Sequence, residues 1–537
     1  MSDQPQVLVG GRWRAADRPT GEFRAEDPTR AEAIGPAFPV SSAADVEAVL
    51  IAGIAAAADL VATAPERIAD FLERYASAIE GDAETLVALA AAETALPAEP
   101  RLRSVELPRA SGQLRQAARA VREHSWSDPV IDTASGLRAH RAPLGKPVLV
   151  FGPNNFPFAF NAIAGSDFAS AIAARNPVIA KAHPSHPATS RRLAELAHAA
   201  ILAAGLPAAA VQMLYHVDNS LGVRLAGDAR LGAIGFTGSR AGGLALKAAA
   251  DPAGIPIFAE MSSINPVFLL PGALAEDADA LAATFFASCT MGSGQFCTNP
   301  GIVVVPKDAA GDAFVARATR EFAEASPRPL FSRGVQESLA RAVQGLTVAG
   351  AQVLAGGDVG AGTGYRFRPT LLSVESAAFI DDKGALQAEA FGPVSLLVRV
   401  DGDEAFTAVA KAFEGNLTGT LYRAADGSDD VLWASVARHL RERVGRLIAN
   451  RMPTGVAVSP AMNHGGPFPS TSQAGFTAVG MPSAIHRFTA LHSYDNVPDA
   501  LLPDELRDRN TVGVQRRIDG RWSDADVGAG ASTRTHH

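Results

Sequence analysis

The chain of 537 residues holds only two cysteines, Cys289 and Cys297. Two thiols cannot build a disulfide framework, so stability has to come from a hydrophobic core, and a reducing cytoplasm is the expected setting. Charge is sparse too. Charged residues make up 19% against 47% hydrophobic, which excludes a disordered polyelectrolyte and predicts a well-buried globular protein. Lysine and arginine number 48 against 56 acids, a net charge of −8 with no basic tract. Nucleic acid is therefore not an expected partner, since binding phosphate backbones needs concentrated cations. No run suits a membrane either. The charge-free stretches 281–306 and 452–485 carry Gly, Pro, Ser, Thr and Asn, which a spanning helix largely excludes. The start, "MSDQPQVLVGGRW", has an acid at Asp3 and no long apolar core, so it does not read as a signal peptide.

What remains is an α/β pattern. Residues 41–96 and 102–124 have helical spacing, the first opening on serine caps with an acid in its first turn. Around 137–147, "LRAHRAPLGKP", charges alternate with apolar residues as in an exposed ribbon. Short apolar runs then recur between helical segments: "VLVFG", "PVIAK", "VQMLY", "LGAIGF" and "IPIFAE". That alternation predicts a parallel sheet with right-handed crossovers, in which ligands collect at the carboxyl ends of the strands. The unusual residues fall at those ends. "GPNNFP" follows the first run, "KAHPSHP" the second and "TGSRAGG" the fourth, and Glu260 closes the fifth. Past Asn265 the alternation restarts, which predicts a second α/β domain packed on the first. The end, "VGAGASTRTHH", reads as frayed.

Cys297 lies in "GQFCTNPG", among glycines and polar side chains. It is either a small residue in a tight turn or a nucleophile with a backbone N–H beside it to steady an oxyanion. Cys289, in "FFASCT", reads as core. Glu260, at the mouth of the sheet, is either a turn cap or a desolvated general base. Asn155 in "PNNFP" either donates to an oxyanion or stabilises its turn. "FTGSRAGG" places Ser239 at a helix start after a glycine turn, where backbone amides meet phosphate. Lys181 directly follows an apolar strand, where its ammonium suits a ribose or a phosphate. No metal site is expected.

"PNNFPFAF", "KAHPSHP", "FTGSRAGG", "AEMSSINP", "GQFCTNPG" and "EAFGPV" occur in this order, and together they resemble the NAD(P)-dependent aldehyde dehydrogenase superfamily over nearly the whole chain. The resemblance implies a Rossmann-type cofactor domain, an α/β catalytic domain and a small oligomerisation ribbon. The implied boundaries are 1–124 with 147–261, then 262–473, then 125–146 with 484–500, leaving 501–537 as a C-terminal tail. It implies Cys297 as nucleophile, Glu260 as base for water, and Asn155 with the Cys297 N–H as oxyanion donors, each such donor worth about 3 kcal/mol. Lys181 and Glu389 are implied at the ribose hydroxyls. Gly238 and Ser239 are implied at the pyrophosphate with Phe236 beside them, Gly243 at a close helix contact, and Phe391 at the nicotinamide ribose. The chemistry so implied is thiolate attack on an aldehyde, hydride transfer, and hydrolysis of a thioester to a carboxylate.

One departure concerns the cofactor. The NAD-preferring branch has a glutamate three positions after the lysine, and here that position is Pro184. Without a carboxylate to repel a 2′-phosphate, Lys181, His183 and Ser185 are expected to accept NADP at least as well as NAD. Within the superfamily, "KAHPSHP", "EMSSINPVF", "HGGPFPSTS" and "HSYDNVPDALLPDEL" look most like the α-ketoglutarate semialdehyde (2,5-dioxovalerate) dehydrogenases. A branch acting on medium or long aliphatic aldehydes, and a CoA-acylating enzyme, are the alternatives. Phe158, Phe160 and Phe296 are expected to line the substrate tunnel. Arg451, with Asn161 and Ser459, is the candidate anchor for an acidic far end, a surface salt bridge being the other reading of Arg451. A homodimer or homotetramer is expected.

Overall fold

The computed structural model describes residues 5–528. Residues 1–4, which open the stretch considered above as a leader, and 529–537, most of the end read as frayed, lie outside the described residues. Two seven-stranded sheets and a five-stranded sheet carry the chain.

The first sheet runs in the order Ile257–Glu260, Ala233–Thr237, Val148–Phe151, Val178–Lys181, Val211–Leu214, Val7–Val9 and Arg12–Arg14. All five expected runs are strands, and they pair in parallel. Each is a short apolar segment buried on both faces, as crossover helices on either side require. After the edge strands Val7–Val9 and Arg12–Arg14, the parallel run starts mid-sheet at Val148–Phe151, steps outward twice, then returns to the other side for Ala233–Thr237. The strand order therefore reverses between Val148–Phe151 and Ala233–Thr237, and a crevice opens at their carboxyl ends. The register aligns Lys181 with Phe151, Phe151 with Phe236, and Thr237 with Glu260, so the chemistry-bearing residues share one edge.

The second sheet is built from Gln352–Ala355, Thr370–Glu375, Val394–Val400, Ile302–Pro306, Val267–Leu269, Asn416–Tyr422 and Val444–Ala449, in that spatial order. Its core is separate from that of the first sheet. The chain then crosses back. Met261 N donates to Ser470 O at 2.8 Å and Ser472 N to Ala259 O at 2.9 Å, so residues 470–472 extend the edge of the first sheet at Glu260.

The third sheet pairs Leu137–Pro143 with Thr489–Asp495 along seven residues, and Val130–Asp132 lies on its other side. The expected C-terminal tail needs correction here. Arg516–Ile518 and Arg521–Ser523 form a hairpin that joins this sheet beside Val130–Asp132. Arg516 is fully buried, and its guanidinium donates to the carbonyls of Asp508 at 3.2 Å and Ala525 at 2.7 Å. These carbonyl contacts hold the segment onto the ribbon. Among the described residues no single helix is long and apolar enough to cross a membrane.

Candidate active site

Cys297 sits on a rigid turn. After the helix Pro271–Thr290, Gly292, Ser293 and Gly294 take consecutive left-handed conformations, with φ of 55°, 58° and 68°. Gly294 cannot be replaced freely, because an added Cβ would lie 2.2 Å from the Gly392 carbonyl oxygen. Polar contacts fix the rest. Ser293 Oγ donates to Pro329 O at 2.8 Å, and Gln295 Oε1 accepts from Phe331 N at 2.9 Å. Asn265 Nδ2 donates to the carbonyls of Cys297 at 2.8 Å and Asn299 at 2.9 Å. The glycine setting of this cysteine thus reflects a constrained loop that holds the thiol half-buried, whereas Cys289 is wholly buried and burial pushes its thiol up to about 12.

Glu260 closes its strand with its side chain turned into the protein. Its Oε1 lies 3.0 Å from His464 Nε2, and the same nitrogen lies 3.5 Å from Cys297 Sγ. The three groups offer atoms all within 4.8 Å of one another. Glu260 Oε2 is buried and has no hydrogen-bond partner among the described residues, which leaves a lone pair open to a thiol or water proton. Burial, then the Glu260 charge, raises the Cys297 thiol well above its ordinary value, and Arg109 partly opposes the shift. The resting thiol is therefore protonated at neutral pH, with two acceptors at hand. The set could also ligate a thiophilic metal, but a 3.0 Å imidazole–carboxylate contact has hydrogen-bond geometry and needs no ion between the two groups. Asn155 flanks the same turn, its Nδ2 donating to Gln295 O at 3.0 Å.

A cavity of about 430 Å³ runs from these residues along the crevice and takes in Asn155, Cys297, Glu260, Gly238, Ser239, His183, Glu389 and Phe391. Gly238 N donates to Glu260 O at 3.1 Å, which ties the glycine turn to the base-bearing strand. Ser239 caps the helix Arg240–Ala250 by accepting from Gly242 N at 3.2 Å. Gly243 meets Met261, whose side chain would lie 2.8 Å from an added Cβ. Phe236 packs on this turn, 6.1 Å from Phe151. Glu389 accepts from Ser263 N at 3.4 Å, and burial raises its carboxyl to about 7 against a hydrogen bond from Ser262.

At the far end, burial lowers Lys181 to about 8, and its ammonium has no ion pair among the described residues. His183 Nδ1 accepts from Ser185 N at 3.1 Å, so Ser185 contributes a backbone contact there. Burial, then His186, Lys181 and His216, holds the His183 imidazole well below its ordinary value. This is a basic pocket with Pro184 where a carboxylate was absent from the sequence. His216 was not anticipated. It lies beyond the third strand, and only the parallel pairing brings it near Lys181. These features fit a dinucleotide: a helix N-terminus for phosphates, and carboxylate and ammonium for hydroxyls.

The substrate side departs most from expectation. Phe160 and Phe296 do belong to an apolar cluster with Phe156 and Phe476 beside the thiol. Phe158 instead points into the core of the first sheet. Asn161 is structural: Nδ2 donates to Pro157 O at 2.9 Å and Ser190 Oγ at 3.0 Å. Ser459 Oγ accepts from Ala461 N at 3.3 Å within its own turn. Arg451 is exposed beyond the strand Val444–Ala449, because that strand ends at the surface rather than in the cavity. The cation beside this cluster is the half-buried Arg109, on the helix Leu107–Arg122, with its guanidinium carbon 5.0 Å from the Phe160 ring centre. Neither Arg109 nor His464 was expected. His464 stands in "HGGPFPSTS", where nothing local marks a ring aimed at a thiol some 170 positions earlier.

A nucleotide crevice at a topological switch point, with cysteine, glutamate and asparagine gathered on its floor, defines a class, and a profile of the aldehyde dehydrogenase family matches residues 13–493. The chain belongs to the aldehyde dehydrogenase family, oxidoreductases that act on the aldehyde group. It is 39% identical to alpha-ketoglutaric semialdehyde dehydrogenase 2 of Azospirillum brasilense, covering 96% of this chain and 99% of that one. It is 35% identical to the alpha-ketoglutaric semialdehyde dehydrogenase of Acinetobacter baylyi, covering 96% and 98%. Among solved structures, lactaldehyde dehydrogenase of Escherichia coli superposes with a TM-score of 0.78 at 21% identity, covering 91% of this chain and 98% of that one. Aldehyde dehydrogenase C of Pseudomonas syringae, complexed with NAD+ and octanal, gives 0.76 at 22% identity, covering 91% and 96%.

Proposed function

We propose that this enzyme oxidises 2,5-dioxopentanoate to 2-oxoglutarate with NADP or NAD, through a covalent intermediate on Cys297. The carrying observation is the contact set of Cys297 Sγ, His464 Nε2 and Glu260 Oε1 within 4.8 Å on the floor of the crevice. The Cys297 thiol gives its proton to the His464–Glu260 pair and bonds to the aldehyde carbon, and the carbonyl oxygen becomes an alkoxide. Asn155 and the Cys297 amide are the donors available to that oxygen. Bound nicotinamide supplies the hydride acceptor. Glu260 then takes a proton from water through Oε2, and the hydroxide releases the acid from sulfur. An open carboxylate oxygen beside the thiol favours hydrolysis over transfer to coenzyme A, and similarity to two semialdehyde dehydrogenases favours the acidic substrate over a long aliphatic one.

The test is a panel of acidic and aliphatic aldehydes, each with NAD and NADP, with and without coenzyme A. The expected result is highest kcat/KM for 2,5-dioxopentanoate, no coenzyme A requirement, and NADP use at least equal to NAD. Strong preference for hexanal, or dependence on coenzyme A, overturns the substrate or the reaction class respectively.

NADP acceptance rests on Lys181 within its imidazole pocket, and this has a pH signature. With an ammonium near 8, the anion-binding form dominates below that pH and is lost above it. The kcat/KM ratio of NADP to NAD should fall about tenfold between pH 8 and 9.5, because the charged fraction drops tenfold per pH unit beyond the pKa. A ratio flat across that range removes Lys181 from 2′-phosphate recognition. Two free thiols suit a reducing cytoplasm, and the sheet that combines Leu137–Pro143 with Thr489–Asp495 is the proposed assembly surface of a homodimer or homotetramer.

A further inference from the structure

Cys297, Glu260 and His464 bring together a thiol, a carboxylate and an imidazole, one of each side-chain class that zinc accepts. Their spacing is close to that of a coordination shell. With Zn–S at about 2.3 Å and Zn–N or Zn–O at about 2.0 Å, tetrahedral angles put sulfur about 3.5 Å from nitrogen and nitrogen about 3.3 Å from oxygen. Cys297 Sγ lies 3.5 Å from His464 Nε2, and that nitrogen lies 3.0 Å from Glu260 Oε1. An ion therefore enters with only a slight outward shift of the carboxylate. The donors are also held from outside the cluster. The Cys297 carbonyl accepts from Asn265 Nδ2 at 2.8 Å. His464 N donates to Thr477 Oγ1 at 2.9 Å, and the His464 carbonyl accepts from Ala478 N at 2.8 Å. Glu260 ends a strand paired in register with Ala233–Thr237, and its Oε2 is buried with no hydrogen-bond partner among the described residues.

We propose that Cys297, Glu260 and His464 form a three-ligand site at which Zn2+ reversibly inhibits the enzyme, with solvent in the fourth position. On binding, the thiol gives its proton to solvent as the Zn–S bond forms. His464 binds as the neutral imidazole and Glu260 as the carboxylate, and the hydrogen bond between those two is given up. No electron is transferred. Thiolate and carboxylate cancel the dication, so the filled site buries no net charge. The cavity that reaches Cys297 and Glu260 supplies both the way in and the open position. Thiolate with imidazole selects zinc over Mg2+ and Ca2+, which require shells of oxygen. Cys289 is wholly buried and belongs to no such group among the described residues. The inhibition rests on the reading of Cys297 as the nucleophile, because the metal occupies the lone pair that attacks carbon. The binding itself does not.

The experiment titrates the full-length enzyme with Co2+, a spectroscopic substitute for zinc, and reads binding with no aldehyde present. Wild type should take up one equivalent per chain, showing thiolate-to-cobalt charge transfer and the intense visible bands of tetrahedral cobalt. Zn2+ should displace the cobalt, and excess Mg2+ should not. Cys297→Ala should lose the charge-transfer band. His464→Gln should weaken binding about 100-fold or more, since removing even an outer hydrogen-bond partner of a ligand costs about 10–100-fold. Cys289→Ala should titrate as wild type does. In a parallel assay Zn2+ should stop aldehyde oxidation at the same occupancy, and EDTA should restore it. Absence of a tetrahedral cobalt spectrum in wild type, or one that Cys297→Ala leaves unchanged, overturns the site. Equal affinity in His464→Gln and wild type overturns it too, leaving a metal held by sulfur without the imidazole. If cobalt binds through these side chains yet the filled enzyme still oxidises aldehydes, the metal site stands and the nucleophile reading falls. If Cys297→Ala abolishes turnover while wild type shows no cobalt spectrum, the reverse holds.

Discussion

Cys297→Ala should lower steady-state turnover by about 10,000-fold or more, because no neighbouring group can replace the sulfur as the atom that bonds to carbon. The variant should still fold. Cys297 is only half-buried on a turn fixed by Ser293, Gln295 and Asn265, and loss of one sulfur there changes stability by about 1 kcal/mol. Thermal unfolding and cofactor titration by intrinsic fluorescence check both points. Retained turnover at even a tenth of the wild-type rate would end the covalent reading. Loss of cofactor binding would mean that the turn, and not the sulfur, had been removed.

The second large effect concerns Glu260. In Glu260→Gln the side chain keeps its shape and can still meet His464, but it no longer accepts a proton. Hydrolysis should slow by about 1,000-fold, within the range for removing a general base. Acylation should survive. Removing the negative charge beside Cys297 relieves one of the influences that hold its thiol well above the ordinary range, so the thiolate forms more readily. Rapid mixing should then give a burst of reduced nicotinamide approaching one equivalent per site, followed by a stall. Intact-protein mass spectrometry should find the acyl group on the enzyme. A burst lost in proportion to the steady-state rate would assign Glu260 to thiol activation alone.

Much of the architecture was legible because buried parallel strands are apolar on both faces and need no partner to be recognised. Val148–Phe151 and Val178–Lys181 are such strands, and the residues that follow them are the ones with chemistry. Strands with polar content were harder. Asn416–Tyr422 is entirely buried, yet its Asn416, Thr418 and Thr420 mask the apolar alternation, and the first two bond to Ser263 and Asn265 from a distant segment. The hairpin at residues 516–523 was missed for a related reason, since Arg516 looks like a surface residue until its carbonyl acceptors are known. Arg451 sits beside a glycine-rich turn, which suggested a pocket, yet it is exposed, whereas Arg109 lies among aromatic rings on a helix whose other arginines pair with surface acids, so nothing local marked it. His464 depends wholly on the chain returning across two sheets.

That returning stretch links the two halves of the proton-handling pair. Residues 470–472 are stitched to the edge of the strand that carries Glu260, and His464 lies only a few positions upstream on the same stretch. The imidazole is held from the other side as well, since Asn463 Nδ2 donates to Gly445 O at 3.2 Å in the second sheet. The spacing of acid, imidazole and sulfur therefore depends on the two sheets staying docked.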